Sequence, residues 1–279
     1  MDAVLVRLRG WIEASHPFPL AAVLALTALI GIASATDEGV DAGRLALVVL
    51  AMLCSQLAIG WTNDFVDRET DRRHQPSKPI ASGRVDARYM PLASLAALAG
   101  VLVIGIVLGP LPLLFLAIGT AAGLAYDLWL KQTHWSWAPF IVAFAVLLPY
   151  VWSSLGLFRE ELAAIYVIGL ALVPAVHIAN VLPDIEADAA AGRRNLALIW
   201  GRRSAIRIIA VCLVTPLLLT LLSLAAIEYN ATLLGVVVLV YAGVLAATAM
   251  LYLRGLDRMA FQGVVIASVL FAGGWLAAV

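Results

Sequence analysis

Apolar runs of about 18 or more residues recur along the whole of this chain, and a run of that length is what a helix needs to cross a bilayer. The candidate spans cover roughly 17–35, 43–63, 90–108, 111–129, 136–157, 161–183, 204–226, 230–252 and 260–278. At 1.5 Å per residue, each reaches across about 30 Å of hydrocarbon. A soluble protein with an outsized core would need polar faces on these helices. The chain has too few residues to supply them: 63% of its 279 positions are hydrophobic and only 13% are charged. The predicted fold class is therefore all-α, a polytopic membrane protein with nine transmembrane helices. A single domain over 1–279 is expected, built from two pseudo-repeated halves at roughly 17–135 and 136–279.

The charges are sorted by side. Of the 18 Lys and Arg residues, all but Arg44 and Arg159 fall on the N-terminal arm or in the connections after even-numbered spans. The positive-inside rule assigns the rich side to the cytoplasm. One missed or invented span would scramble this segregation, so it supports the count of nine. The cell membrane is then the expected location, with the N-terminus cytoplasmic and the C-terminus outside. The N-terminal stretch, with Asp2, Arg7, Arg9 and Glu13, has no short apolar region ending in a cleavage site, and no cleaved signal peptide is expected. Cys54 and Cys212 both sit in apolar segments and read as small core residues. The formal net charge is zero, so bulk charge says nothing about partners; a lipid bilayer is the expected surroundings and nucleic acid is not an expected partner.

Two long polar connections, about 64–89 and 184–203, lie on the cytoplasmic side, where a functional site is most expected. Each begins with the same pattern. Asn63, Asp67 and Asp71 are spaced by four residues at the end of span two, and Asn180, Asp184 and Asp188 repeat that spacing at the end of span six. On a continuing helix such residues share one face. Like-charged carboxylates on one face near a membrane interface repel each other. A hard divalent cation relieves that repulsion. Mg²⁺ takes oxygen ligands, typically one or two carboxylates together with substrate phosphate oxygens. Two facing clusters could thus clamp one diphosphate as a leaving group. Cations that match phosphate oxygens stand nearby: Lys78 and Arg84 around a Pro-Ile-Ala-Ser-Gly turn, Lys131 after span four, and Arg193 and Arg194 after the second motif.

Ordinary explanations compete with functional ones. Arg72, Arg73, Arg202 and Arg203 are read as solvated, topology-setting or headgroup-facing residues. His177, one turn before Asn180, either lines a cavity or makes an interhelical hydrogen bond. Trp135 and Trp137 are assigned to an interfacial aromatic belt rather than to cation stabilisation. The repeated acidic pattern is not explained by solvation alone.

These motifs resemble those of the UbiA-type intramembrane prenyltransferase superfamily. The resemblance is carried by Asn63-Asp64-x-x-Asp67-x-x-x-Asp71, Lys78-Pro79-Ile80-Ala81-Ser82-Gly83, Tyr126-x-x-x-x-Lys131 and Asp184-x-x-x-Asp188-x-x-x-Gly192, and it extends over essentially the whole chain. It implies a helical bundle around a central cavity open to lipid, capped by cytoplasmic loops. It also implies that Asn63, Asp67, Asp71, Asp184 and Asp188 hold Mg²⁺ and a prenyl diphosphate, with Lys78, Tyr126 and Lys131 contacting the diphosphate or assisting its departure. Asn180, Arg84 and Arg193 complete the expected diphosphate set. The implied reaction ionises an allylic C–O bond and passes the prenyl group to a lipid or aromatic acceptor, with water kept out by the apolar cavity. The chain departs from the family pattern at Lys78, where Arg is usual, at Ala81 for Pro, at Asn180 for Asp and at Asn195 for Thr.

Two alternatives stand beside prenyl transfer. A membrane terpene cyclase would use the same ionisation chemistry, with the substrate's own alkenes capturing the cation. A cation transporter would need ionisable residues at mid-depth, and these spans have almost none.

Overall fold

A computed structural model of the protein describes residues 3–35, 39–158, 163–190, 192 and 196–279. They form twelve helices: α1 (Ala3–Ala14), α2 (Pro17–Ala33), α3 (Ala42–His74), α4 (Met90–Leu108), α5 (Pro110–Leu128), α6 (Ala138–Leu155), α7 (Ile165–Leu170), α8 (Val173–Val181), α9 (Ile185–Ala190), α10 (Leu196–Ser223), α11 (Ala231–Leu253) and α12 (Asp257–Ala278). Among the described residues, eight helices or helical runs are long and apolar enough to cross a membrane. The pair α1–α2, bent by 58°, raises the number to nine. The expected all-helical architecture is what forms.

Two elements differ from the sequence reading. Span two was expected to end at residue 63, but α3 continues for three more turns to His74. Its 33 residues give a rod of about 50 Å, well beyond the hydrocarbon thickness. Asp41 caps its start by accepting from the backbone N–H groups of Gly43 and Arg44. Arg72, Arg73 and His74 favour its end, where the helix dipole is negative. Span six, by contrast, is not one continuous α-helix. It breaks between α7 and α8, and a 3₁₀ turn (Leu182–Asp184) separates α8 from α9. Pro183 has no N–H to continue the α ladder. The backbone at Val181, Leu182 and Ile185 nevertheless stays right-handed helical, so the chain keeps its direction.

The helices close into a ring. α3 packs on α4 and α5, α5 on α6, α8 on α10 and α12, and α12 returns to α2. At the end of the bundle opposite the acidic motifs, polar side chains tie these contacts together. Trp152 Nε1 donates to Ser34 Oγ at 2.8 Å. Arg44 is one of only two basic residues assigned to that side, and the structure gives it a task. Its guanidinium donates to the carbonyls of Leu108, at 2.8 Å, and Ser154, near the ends of α4 and α6. Terminal carbonyls of a helix lack intrahelical donors, and one planar fork serves two helices at once. Arg44→Ala should cost about 1–3 kcal/mol of stability, read as a lower thermal midpoint in detergent. Arg44→Lys, with one short-ranged donor group, should recover only part of it.

A smaller apolar cluster lies at the acidic end. Ala14, Ile80, Val85 and Met90 are buried against Trp11, Trp61 and Phe65. This cluster fastens α1 and the connection 75–89 around the protruding end of α3. Inside the ring is a cavity of about 350 Å³. Its deep walls are apolar, with Ile30, Met52, Leu116 and Leu148 among them. Its upper part carries Asn63, Tyr126, Asp127, Asn180 and His16. From Met52 to Asn63 along α3 the cavity is about 16 Å deep, at the helical rise per residue.

Candidate active site

The extension of α3 puts Asn63, Asp67 and Asp71 on successive turns, as their spacing implied. Each turn is met by a lysine from a neighbouring connection. Lys131 sits in a 3₁₀ turn (Leu130–Gln132) directly after α5, and it is 7% exposed. Its Nζ donates to Asn63 Oδ1 at 2.9 Å and to Asp67 Oδ2 at 2.8 Å. Lys78 Nζ donates to Asp71 Oδ2 at 2.9 Å and lies 3.8 Å from Asp64 Oδ1. Burial acts to lower the Lys78 ammonium, but Asp64, Asp71 and Asp67 outweigh it, and its pKa is raised above the ordinary lysine value. Lys78 therefore remains a cation at any physiological pH.

The second motif approaches from the other side of the ring. Asn180 lies in α8, Asp184 in the 3₁₀ turn and Asp188 in α9. The condition of a continuing α-helix, under which the three would share one face, is not met here, because a 3₁₀ turn holding Pro183 intervenes. Asn180 hydrogen-bonds the Tyr126 side chain, and the Tyr126 hydroxyl is within electrostatic reach of Asp67, Asp127 and Asp188. Tyr126 is thus where the two motifs meet. A second link runs along the rim. Gln75 Nε2 and Arg258 Nη2 both donate to Asp184 Oδ1 at 3.5 Å, and Arg258 Nη2 also donates to Gln75 Oε1 at 3.3 Å.

Other expected residues fall elsewhere. Arg84, expected on the diphosphate, instead bonds Glu13 of α1, the Ser77 carbonyl and Ser82 Oγ, which holds the 75–89 connection against the N-terminal helix. Arg193 lies outside the described residues, as do Arg194 and Asn195. His177 is fully buried and its Nε2 lies 3.2 Å from Ser136 Oγ in the turn before α6, so it ties α8 to that turn rather than lining the cavity. Trp135 and Trp137 are exposed, with ring centroids 5.9 Å apart. Arg202, read as solvated, pairs bidentately with Asp257 at 2.6 and 3.0 Å.

The donor set fits a hard cation. Asn63, Asp67, Asp71, Asp184 and Asp188 offer only oxygen. Among the described residues, no three His, Cys, Asp or Glu side chains are grouped closely enough to hold an ion unaided. That is the pattern for Mg²⁺, which binds through one or two carboxylates, waters and substrate phosphates rather than in an all-protein cage. It excludes a preformed soft-metal site.

Residues 24–266 match the family model described as the UbiA prenyltransferase family. This chain belongs to that family. It is a membrane prenyltransferase, and the expectation drawn from the motifs holds. It is 29% identical over 223 residues to a digeranylgeranylglyceryl phosphate synthase of Methanopyrus kandleri, covering 75% of this chain and 78% of that one. It is also 29% identical over 186 residues to the bacteriochlorophyll synthase 33 kDa chain of Rhodobacter capsulatus, covering 61% and 60%. Its fold matches that of a UbiA homolog from Archaeoglobus fulgidus, solved with GPP and Mg²⁺, at a TM-score of 0.73 and 18% identity. That match covers 97% of this chain and all of the other.

The prenyltransferase also has polar residues at its site that sequence reasoning left without a role. Asp64 is 2% exposed and sits between Lys78 and His16, whose Nε2 is 3.0 Å from Asp64 Oδ1. Asp127 is 2% exposed and lines the cavity. Both had a signal, since each is a carboxylate one position along from a motif residue. Burial, which gives them meaning, is invisible in spacing.

Proposed function

We propose that the prenyltransferase ionises a long prenyl diphosphate at the cytoplasmic end of its cavity and transfers the allylic group to a hydrophobic acceptor lodged in that cavity. One observation carries this reading. Asp67 of the first motif, itself bonded to Lys131, and Asn180 and Asp188 of the second approach Tyr126 at the head of an apolar chamber, with Lys78 bonded to Asp71 one turn further along α3.

Asn63, Asp67 and Asp71 on one side, and Asp184 and Asp188 on the other, would hold Mg²⁺. When bound, the ion supplies Lewis-acid neutralisation of the departing diphosphate. Lys131 and Lys78 already point their ammonium groups into the acidic motif, and substrate phosphate oxygens would compete with the carboxylates for them. The Tyr126 hydroxyl and the Asn180 amide would steady the bridging oxygen as negative charge develops there. The apolar walls below receive the prenyl tail and keep water from the allylic cation. The sorting of Lys and Arg supports a cytoplasmic site with the C-terminus outside.

Two relatives are named digeranylgeranylglyceryl phosphate synthase and bacteriochlorophyll synthase; the first name supports a long allylic donor and an acceptor of lipid character, and neither favours the cyclase alternative. The test uses purified protein in lipid nanodiscs with Mg²⁺ and labelled geranylgeranyl diphosphate. Label should enter an uncyclised lipid product only when a membrane lipid extract is added. Cyclic hydrocarbon or terpene alcohol formed without extract would overturn the transfer reading.

A further inference from the structure

His16 occupies an odd position for a side chain with no job. It is the residue between α1 and α2, and among the described residues it is the non-glycine residue with positive φ, at 51° and ψ 64°. A left-handed backbone at a residue other than Gly costs of order 1–3 kcal/mol, and it persists only where the surroundings enforce it. The surroundings here do enforce it. The Ser15 backbone packs so closely on Gly60 of α3 that a Cβ at residue 60 would lie 3.1 Å from the Ser15 carbonyl oxygen. The strain does not serve the helix that follows, because the His16 side chain makes no capping bond to α2.

That side chain reaches across to α3 instead. Its Nε2 lies 3.0 Å from Oδ1 of Asp64, whose side chain is 3% exposed against 34% for the imidazole. Lys78 Nζ lies 3.8 Å from the same oxygen. With Nε2–H donating to Asp64, the lone pair is on Nδ1. The imidazole lines the cavity, as do Tyr126 and Asn180. A partly accessible imidazole backed by a buried carboxylate is the arrangement that orients a general base and stabilises its protonated form.

We propose that His16, oriented by Asp64, is the acceptor-side base of the transfer, serving an acceptor whose nucleophilic atom gives up a proton, as a hydroxyl group does. This rests on the prenyl-transfer reading above. The allylic C–O bond breaks and its electron pair leaves with the diphosphate. With a hydroxyl acceptor, the oxygen forms the new C–O bond, its O–H bond breaks, and the proton passes to Nδ1 of His16. The imidazolium is held by Asp64 until the proton is lost to water at the cavity mouth.

The variant His16→Gln tests this, since an amide can still donate to Asp64 but cannot take a proton at neutral pH. Its kcat for transfer to a hydroxyl-bearing lipid acceptor should fall about a hundredfold or more, the usual contribution of a positioned base. Its affinity for a non-reactive thiolo analogue of geranylgeranyl diphosphate in the presence of Mg²⁺ should stay within about threefold of wild type, on the experiment's own scale of discrimination. Transfer retained within threefold would overturn the proposal. So would parallel loss of transfer and analogue binding, which marks a structural residue. A wild-type protein that transfers to no acceptor would refute the reading beneath it, whereas a transferring wild type with an indifferent His16→Gln refutes this inference alone.

Discussion

Asp67→Asn should reduce prenyl transfer at least about a hundredfold, the scale seen when one group is removed from a site that stabilises developing charge. The substitution preserves volume and leaves an amide oxygen on the same turn of α3. What it removes is the charge that a cation and a diphosphate must share. Asp67 sits between Asn63 and Asp71 on one face, accepts from Lys131 at 2.8 Å, and is close enough to influence Tyr126, where the second motif arrives. Its loss therefore weakens the first acidic motif at its centre. The measurement is labelled prenyl transfer at saturating Mg²⁺, with thermal stability as a control. A variant with near wild-type turnover would remove the first motif from the mechanism.

The second large effect concerns Lys131. Lys131→Met should lower stability by about 3–5 kcal/mol, because it withdraws the cation from a carboxylate in a largely dehydrated place. The side chains of Lys131 and Asp67 are only 6% and 14% exposed, so solvent does little to screen the pair. The same change should abolish transfer, since the ammonium also bonds two residues of the first motif, Asn63 and Asp67. The double variant Lys131→Met with Asp67→Asn separates the two roles. Stability should return toward wild type, because no charge is then stranded, while transfer stays lost. If the double variant is as unstable as the sum of its parts, the pair does not couple and the geometry described here is wrong.

The spanning helices were legible because an apolar run of bilayer length has few other uses. Asp67 and Asp71 were legible for a different reason, a four-residue period that survives into the structure as successive turns of α3. Polar composition concealed that α3 goes on to His74, since a hydropathy signal stops where the membrane does. In the second motif the same period did not say whether the helix continues, and in the structure α8, a 3₁₀ turn holding Pro183 and α9 carry Asn180, Asp184 and Asp188 in turn. Arg84's bond to Glu13 was not legible, because charge and nearness in sequence do not reveal a partner 71 residues away. His16 and Asp64, 48 residues apart, acquire significance only once the α1–α2 bend presses against Gly60.

The central claim is that both acidic motifs act on one diphosphate through Mg²⁺. Binding of the non-reactive thiolo analogue of geranylgeranyl diphosphate, measured by calorimetry with and without Mg²⁺, tests it most directly. The account predicts tight binding only with Mg²⁺, and loss of that binding in both Asp67→Asn and Asp184→Asn taken singly. Binding that is indifferent to Mg²⁺, or full affinity in either variant, would contradict it.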